Sequence, residues 1–367
     1  MAPVIVSARD AYLRDRDGRE YVDLSMGYGS VWLGHGREAV NRALAAQLER
    51  YWAPGYLPNE TLEAAHAALA RFLPETHFVG GLYSTGTEAV EAALRAAWAH
   101  TGRTDVAGFA GSEHGRSLAT AALAAPPHAD LRFLHRLPAF SEPEERIEIE
   151  LERLAARVEL AALVVEPLQM TGGGHEIGAR VANSLFALAK QRGIAVIFDE
   201  ALTGLYRCGA RLFCDRIAAV PDIIVLGKGL ANGFPCAAVA LRRGFTWDRQ
   251  RVRPGSTYWN HPLACAATGA TLSELAHLDP EKKVAAIERI VREALGNLEL
   301  RGRGAMWCLG FPDARRQAPF AARILEAGVV TSYYDRYVRL LPPLTIEPEV
   351  LRRACEAIGK AHADTFG

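Results

Sequence analysis

The chain has 367 residues, half of them hydrophobic and 23% charged, which is ordinary globular sequence sufficient for two domains with substantial cores. Forty-two Lys and Arg balance forty-two Asp and Glu, so net charge gives no support for nucleic acid or an anionic membrane as a main partner. No apolar run is long enough to span a bilayer, the N-terminus lacks the basic start and apolar core of a signal peptide, and the six cysteines form no Cys-x-x-Cys pair; a cytoplasmic protein with small buried thiols and no metal site is expected.

Residues 1–50 read as short strands around Ala11–Leu13 and Tyr21–Val22, joined by a turn at Asp15–Gly18 and followed by a helix from Glu38 to Tyr51. A second amphipathic helix is predicted from Asn59 to Phe72, with Asn59 as its cap and Leu62, Ala65, Leu69 and Phe72 on one face. From Leu82 onward strand and helix patterns alternate. The helix Thr87–Ala99 carries an apolar stripe, and another helix is predicted over Ala182–Arg192. Strands are predicted at Val106–Ala110, Leu131–Leu134, Leu163–Val165, Ile194–Phe198, Ile223–Leu226 and Ala237–Leu241. This alternation argues for an α/β fold with a mostly parallel sheet. A helical run from about Pro262 ends at the polar break Asp279–Lys283. Beyond a linking helix, strands at Gly304–Leu309, Val329–Tyr333 and Val338–Leu341 and helices at Pro319–Ala327 and Glu347–Ala363 read as a smaller unit. The expected division is an N-terminal segment, 1–50, packing with a small C-terminal domain, 276–367, and a large domain, 51–275.

Two of the predicted strands end on chemistry. Ile194–Phe198 runs into Asp199, and Ile223–Leu226 runs into Gly227 and Lys228. Ligands of parallel α/β sheets sit beyond the carboxyl ends of the strands. The two strand ends therefore bring a carboxylate and an amine to one cleft. Pyridoxal 5'-phosphate needs such a pair: a carboxylate for its pyridinium nitrogen and a lysine for a Schiff base. Ser84-Thr85-Gly86-Thr87-Glu88 opens the long helix after a strand. Ser84 or Thr85 can cap that helix, Gly86 lets an anion approach the backbone, and the first-turn amides and helix dipole favour a phosphate. Singly, each of these features is ordinarily structural; together they point to the cofactor. No nucleotide-triphosphate loop is present, and Gly172-Gly173-Gly174 lacks dinucleotide spacing and reads as flexible backbone near the cofactor.

These residues resemble the class III pyridoxal-phosphate aminotransferases, the family of ornithine, 4-aminobutyrate and related ω-aminotransferases and glutamate semialdehyde aminomutase. The resemblance runs through Asp15–Asp23, Leu33–Gly36, Thr85–Ala89, Glu166-Pro-Leu-Gln169, Asp199–Gly209, Pro221–Leu230, Thr257–Ala266 and Arg339–Leu344, nearly the whole chain. It implies the fold type I, aspartate-aminotransferase-like architecture. By position it implies Lys228 as the Schiff-base lysine, Asp199 as the partner of the ring nitrogen, and Thr85, Gly86 and Thr87 as the phosphate cradle. Thr257 would reach the phosphate of a neighbouring subunit, which implies a homodimer with shared active sites. His114, Glu166 and Leu202 fall on cofactor-site positions of the same pattern. Arg207, within the signature, is expected to brace its loop rather than touch substrate. Trp32 and Arg339 are substrate-site candidates; Tyr28, Tyr258 and Trp259 could also line an aromatic pocket or belong to the core.

The chain also departs from the family. Glu113 stands where an aromatic ring usually precedes His-Gly. Either its carboxylate acts as an extra acid or base, or it points outward and another side chain covers the cofactor. Met170-Thr171 replaces the region where many members carry a Glu that pairs with the arginine corresponding to Arg339, so Arg339 either lacks a partner or binds a substrate carboxylate directly. Leu202 replaces a Gln found in some members, which makes the pocket less polar. The implied activity is transfer of an amino group from an amine or amino acid to a carbonyl acceptor, in biosynthesis. Racemisation, an aminomutase reaction, decarboxylation or carbon–carbon bond formation would use the same residues. A non-catalytic protein retaining the fold is the reading of a different class, and the presence of both Lys228 and Asp199 counts against it.

Overall fold

The computed structural model describes residues 3–124 and 131–367. The chain begins as an antiparallel meander of β1 (Ile5–Arg9), β2 (Tyr12–Asp15) and β3 (Glu20–Asp23). Asp15 closes the predicted turn because its carboxylate accepts the amides of Asp17 and Arg19, at 3.0 and 2.9 Å, and the Tyr21 hydroxyl at 2.8 Å. β1 was not foreseen; all five of its residues are exposed, so it has no burial period to read.

A seven-stranded sheet forms the main layer. Its strands in chain order are β4 (His77–Tyr83), β5 (Asp105–Phe109), β6 (Leu134–Leu137), β7 (Leu160–Val165), then, after the short ribbon of β8 (Leu168–Gln169) and β9 (His175–Glu176), β10 (Ala195–Asp199), β11 (Ile223–Leu226) and β12 (Ala237–Arg242). The spatial order is β4-β12-β11-β10-β7-β5-β6, and β12 alone runs against the others. Every residue of β7, β10 and β11 is buried, which explains their unbroken apolar sequences: both faces of a parallel sheet are covered. Ala195 and Ile197 join the core beneath the helix Gly86–Thr101, whereas Val196 and Phe198 belong to the core on the other side. Small residues on that helix (Ala89, Ala92, Ala93, Ala96 and Ala97, all buried) let it lie close across β7, β10, β11 and β12. The sixth strand starts at Leu134 rather than Leu131; Arg132 and Phe133 form the turn that precedes it.

The C-terminal unit is built from β13 (Leu300–Arg303), β14 (Met306–Gly310), β15 (Val329–Val330), β16 (Ser332–Tyr334) and β17 (Tyr337–Leu340), backed by the helices Pro280–Leu295, Gln317–Glu326 and Pro348–Phe366. The single strand predicted at Val329–Tyr333 is in fact two. β15 pairs in parallel with Val22–Asp23 of β3, while β16 pairs with β17 in the sheet β13-β14-β17-β16. A continuous apolar run cannot reveal that its two ends hydrogen-bond to different sheets. The triple glycine is a packed seam rather than flexible backbone. A Cβ at Gly173 would lie 2.6 Å from Tyr337 Cζ, one at Gly174 2.9 Å from the Arg301 carbonyl oxygen, and one at Gly172 2.9 Å from that of Gly111. Gly173 and Gly174 also have φ of +93° and +80°, which L-residues with a side chain rarely adopt.

Candidate active site

Four neighbouring parallel strands deliver the site at their carboxyl ends. His114 lies in the loop after β5, Glu166 directly follows β7, Asp199 ends β10, and Lys228 follows β11. β10 and β11 are in register through Asp199 and Val225, and the Glu200 amide donates to the Val225 carbonyl at 2.9 Å, which locks the two strand ends together. Asp199 is buried. One carboxylate oxygen pairs with His114 Nδ1 at 2.8 Å, and the other accepts the Ala201 amide at 3.2 Å. His114 Nε2 is buried with no hydrogen-bond partner among the described residues. Lys228 is half-buried and holds a left-handed φ of +43°, a conformation that costs a side-chain-bearing residue about 1–3 kcal/mol and persists where the surroundings enforce it.

The ionisable groups act on one another. Burial pushes the Glu166 carboxyl up to about 7; the Lys228 cation opposes that shift and the Asp199 charge reinforces it. One Glu166 oxygen accepts the Glu113 amide at 2.8 Å. Burial likewise holds the Lys228 amine below its ordinary value, against the pull of Glu166 and Asp199 and aided by the Arg207 and Arg339 cations. A carboxyl raised in the folded state binds more protons folded than unfolded, so its burial withdraws stability as pH rises from about 4.5 to about 7, by an amount on the order of 3 kcal/mol. Glu166→Gln keeps an oxygen acceptor for the Glu113 amide and removes that titration. In cofactor-free protein, the melting temperature of the variant is expected to fall less than that of wild type between pH 5 and 7; parallel curves would show that Glu166 does not titrate there.

The phosphate turn heads the helix Gly86–Thr101. Thr85 Oγ1 accepts the Glu88 amide at 3.1 Å, and the Glu88 carboxylate reaches back to the Ser84 amide at 3.0 Å, a capping box displaced by one residue. The amides of Gly86 and Thr87 have no acceptor among the described residues and are available to an anion. A Cβ at Gly86 would meet nothing within 4 Å among the described residues, so the turn is uncrowded at this position. Gly115, at φ +123°, lies so close to Thr87 that a Cβ would fall 2.2 Å from Thr87 Oγ1; this contact sets the His114 loop against the phosphate turn. Ser256 Oγ is buried without a hydrogen-bond partner among the described residues, and its neighbours Thr257 and Tyr258 are exposed.

The remaining candidates separate. Trp32 has no exposed surface; its indole N–H donates to the Leu205 carbonyl at 2.9 Å and the Arg207 guanidinium lies 4.0 Å above its ring. Trp32, a substrate-site candidate by sequence, thus stands behind Arg207 and braces it. Arg207 itself is buried, donates to the Gly29 carbonyl at 2.7 Å and, among the described residues, has no carboxylate partner; burial pushes its pKa down to about 9. Leu202 is buried against Gly29. Glu113 is exposed between the buried Ser112 and His114. Met170 lies in the core, its sulfur 3.4 Å from Cys308 Sγ, and Arg339 is half-buried with Nε lacking an acceptor among the described residues.

Two further side chains hold the site in place. Glu200, adjacent to Asp199, turns away from the cleft to accept the amides of Phe213 and Cys214 at 2.6 and 2.9 Å. Gln169 donates to the Ala110 carbonyl and Ser112 Oγ and accepts the Phe140 amide, which fixes the loop that carries His114. Alternation along a strand gives opposite directions to Asp199 and Glu200 and could have separated their roles; nothing local marks the partners of Gln169.

A lysine, an acid–histidine pair for a ring nitrogen and an open helix head for a phosphate fit pyridoxal phosphate, and with the sheet order they define a fold type I pyridoxal-phosphate-dependent transferase. The family model of class III aminotransferases matches residues 1–362. A protein of Aeropyrum pernix, provisionally named a LysW-aminoadipate semialdehyde/glutamate semialdehyde transaminase, is 34% identical, over 94% of this chain and 91% of its own length. The 2-aminoadipate transaminase of Pseudomonas putida is 30% identical, over 99% of this chain and 96% of its own. The solved structure of a pyridoxal-phosphate-bound amine transaminase from an uncultivated Pseudomonas species superposes with a TM-score of 0.90 at 25% identity, covering 100% of this chain and 95% of that one. The chain belongs to the class III aminotransferase family and is a pyridoxal-phosphate-dependent transaminase.

Proposed function

We propose that Lys228, Asp199 and the Thr85–Thr87 turn carry the reaction and that the exchanged substrates are amino and carbonyl compounds bearing a carboxylate, recognised by Arg339. When bound, pyridoxal phosphate supplies the electron sink for the carbon that loses its proton. Lys228 Nζ moves that proton, and the burial that lowers its pKa shifts the amine toward the neutral form that accepts a proton. Asp199 would hold the ring nitrogen, with His114 orienting the carboxylate through the 2.8 Å bond. The amides of Gly86 and Thr87 would hold the phosphate. The carboxylate reading rests on one observation: Arg339 is half-buried in the field of Lys228, has an unsatisfied Nε, and pairs with no carboxylate among the described residues. Aminoadipate and glutamate semialdehyde, in the names of its relatives, are both carboxylates, which supports a biosynthetic role of this kind.

The same reading includes a homodimer. Trp52, Tyr56, Leu57 and Tyr258 are exposed large hydrophobic side chains, and the Tyr56 ring lies 6.2 Å from that of Trp259, which brings Tyr56 to the Ser256–Trp259 segment. The six free, buried cysteines suit a reducing cytoplasm.

The test compares amino donors with and without a carboxylate in wild type and Arg339→Gln. Loss of charged hydrogen bonds of about 1.5–3 kcal/mol predicts a roughly 10- to 100-fold fall in kcat/KM for the carboxylate-bearing donor and little change for the carboxyl-free amine. Equal losses on both would remove Arg339 from recognition.

A further inference from the structure

Residues 26–29 form a turn of the wrong hand. Met26, Gly27, Tyr28 and Gly29 have φ of +46°, +57°, +57° and +83°, and two of the four carry full side chains. Single left-handed residues are ordinary in turns; a run containing Met and Tyr is not, and strain of this kind concentrates where a ligand is handled. Both ends of the turn are clamped. The Asp23 carboxylate accepts the amides of Ser25 and Met26, each at 2.8 Å, and Arg207 holds the Gly29 carbonyl at 2.7 Å. Met26 is buried, but Tyr28, at the crest, is 62% exposed. Its large ring gains little from burial, so its position follows from the enforced backbone. That position puts the ring 5.5 Å from the Arg339 guanidinium carbon.

We infer that Tyr28 is a specificity-determining gate: its ring is the resting partner of Arg339 and is displaced when a substrate carboxylate takes the guanidinium. This inference rests on the carboxylate reading given above. In this chain Met170 is packed into the core against Cys308, and no acidic side chain among the described residues neutralises Arg339. An aromatic face can hold a guanidinium in place through its quadrupole without closing the site as an ion pair would, because a cation–π contact at an exposed position is weak and a carboxylate outcompetes it. The clamped backbone keeps the ring at hand, and rotation about the side chain alone clears the way.

Calorimetric titration of the holoenzyme with glutarate, which has carboxylates but no amine or carbonyl to react, separates the claims. Tyr28→Ala retains the Cβ, so the backbone strain is unchanged while the competing ring is lost; glutarate should bind about two- to fivefold more tightly. Tyr28→Phe keeps the ring and should match wild type. Unchanged or weaker binding in Tyr28→Ala overturns the gate, as does weaker binding in Tyr28→Phe, which would make the hydroxyl a direct ligand. Arg339→Gln is the control for the underlying reading. If it weakens glutarate binding while Tyr28→Ala has no effect, the gate alone is lost; if it leaves glutarate binding intact, the carboxylate reading and the gate fall together.

Discussion

Lys228→Ala is expected to lower turnover by about 10²–10⁴-fold while the protein still binds pyridoxal phosphate. The size follows from the task. The proton to be moved is held on carbon, and a positioned amine replaces a route through bulk water. The proposed role fits the setting of Lys228: it follows a fully buried strand, it is held in a left-handed conformation, and its pKa is depressed by burial. Removing the side chain leaves the phosphate turn and the Asp199–His114 pair untouched, since neither uses Lys228 as a hydrogen-bond partner. Steady-state kinetics and cofactor absorbance on the same preparation give both readouts. A complementary test is borohydride reduction followed by peptide mass mapping, which should find the cofactor on Lys228 in wild type and on no residue in the variant. Turnover within tenfold of wild type would refute the role.

Asp199→Ala is expected to weaken cofactor binding and slow the reaction together, each by about 10²–10³-fold. Breaking a buried ion pair by removing one partner costs about 3–5 kcal/mol, because the remaining charge stays buried without compensation. Here the abandoned groups would be the cofactor's ring nitrogen and His114, whose Nε2 already lacks a partner and whose Nδ1 would lose its own. Asp199→Asn makes the useful comparison. It conserves shape and one acceptor but not the charge, so cofactor affinity should recover more than rate. Cofactor titration and single-turnover kinetics distinguish the two effects; unchanged single-turnover rates in Asp199→Ala would show that the carboxylate does not act on the ring.

Much of this arrangement is legible in the chain. Apolar runs bounded by Gly and charged residues mark β7, β10 and β11, since strands buried on both faces need apolar side chains at every position. Asp199 and Lys228 are visible because each terminates such a run, and the phosphate turn because a capping Thr, a Gly and a long helix are adjacent. The exposed β1, the start of β6 and the division of Val329–Tyr333 between two sheets are not visible in the same way. Their pairing depends on partners far along the chain, and local patterning carries no record of which edge a backbone amide will meet.

The division between sequence and tertiary structure follows the range of the forces involved. By itself the sequence determined the alternation of strand and helix through the main sheet and the chemistry at its strand ends, which depend on residue type and near-neighbour spacing, and its resemblance to known aminotransferases supplied the family. Only the folded chain decided that Glu200 turns away from Asp199, that Trp32 stands behind Arg207, that three glycines form a packed seam, and that Tyr28 meets Arg339. Those outcomes depend on burial, excluded volume and side-chain direction between residues distant in the chain, and such quantities come into being only when the strands and loops are brought together.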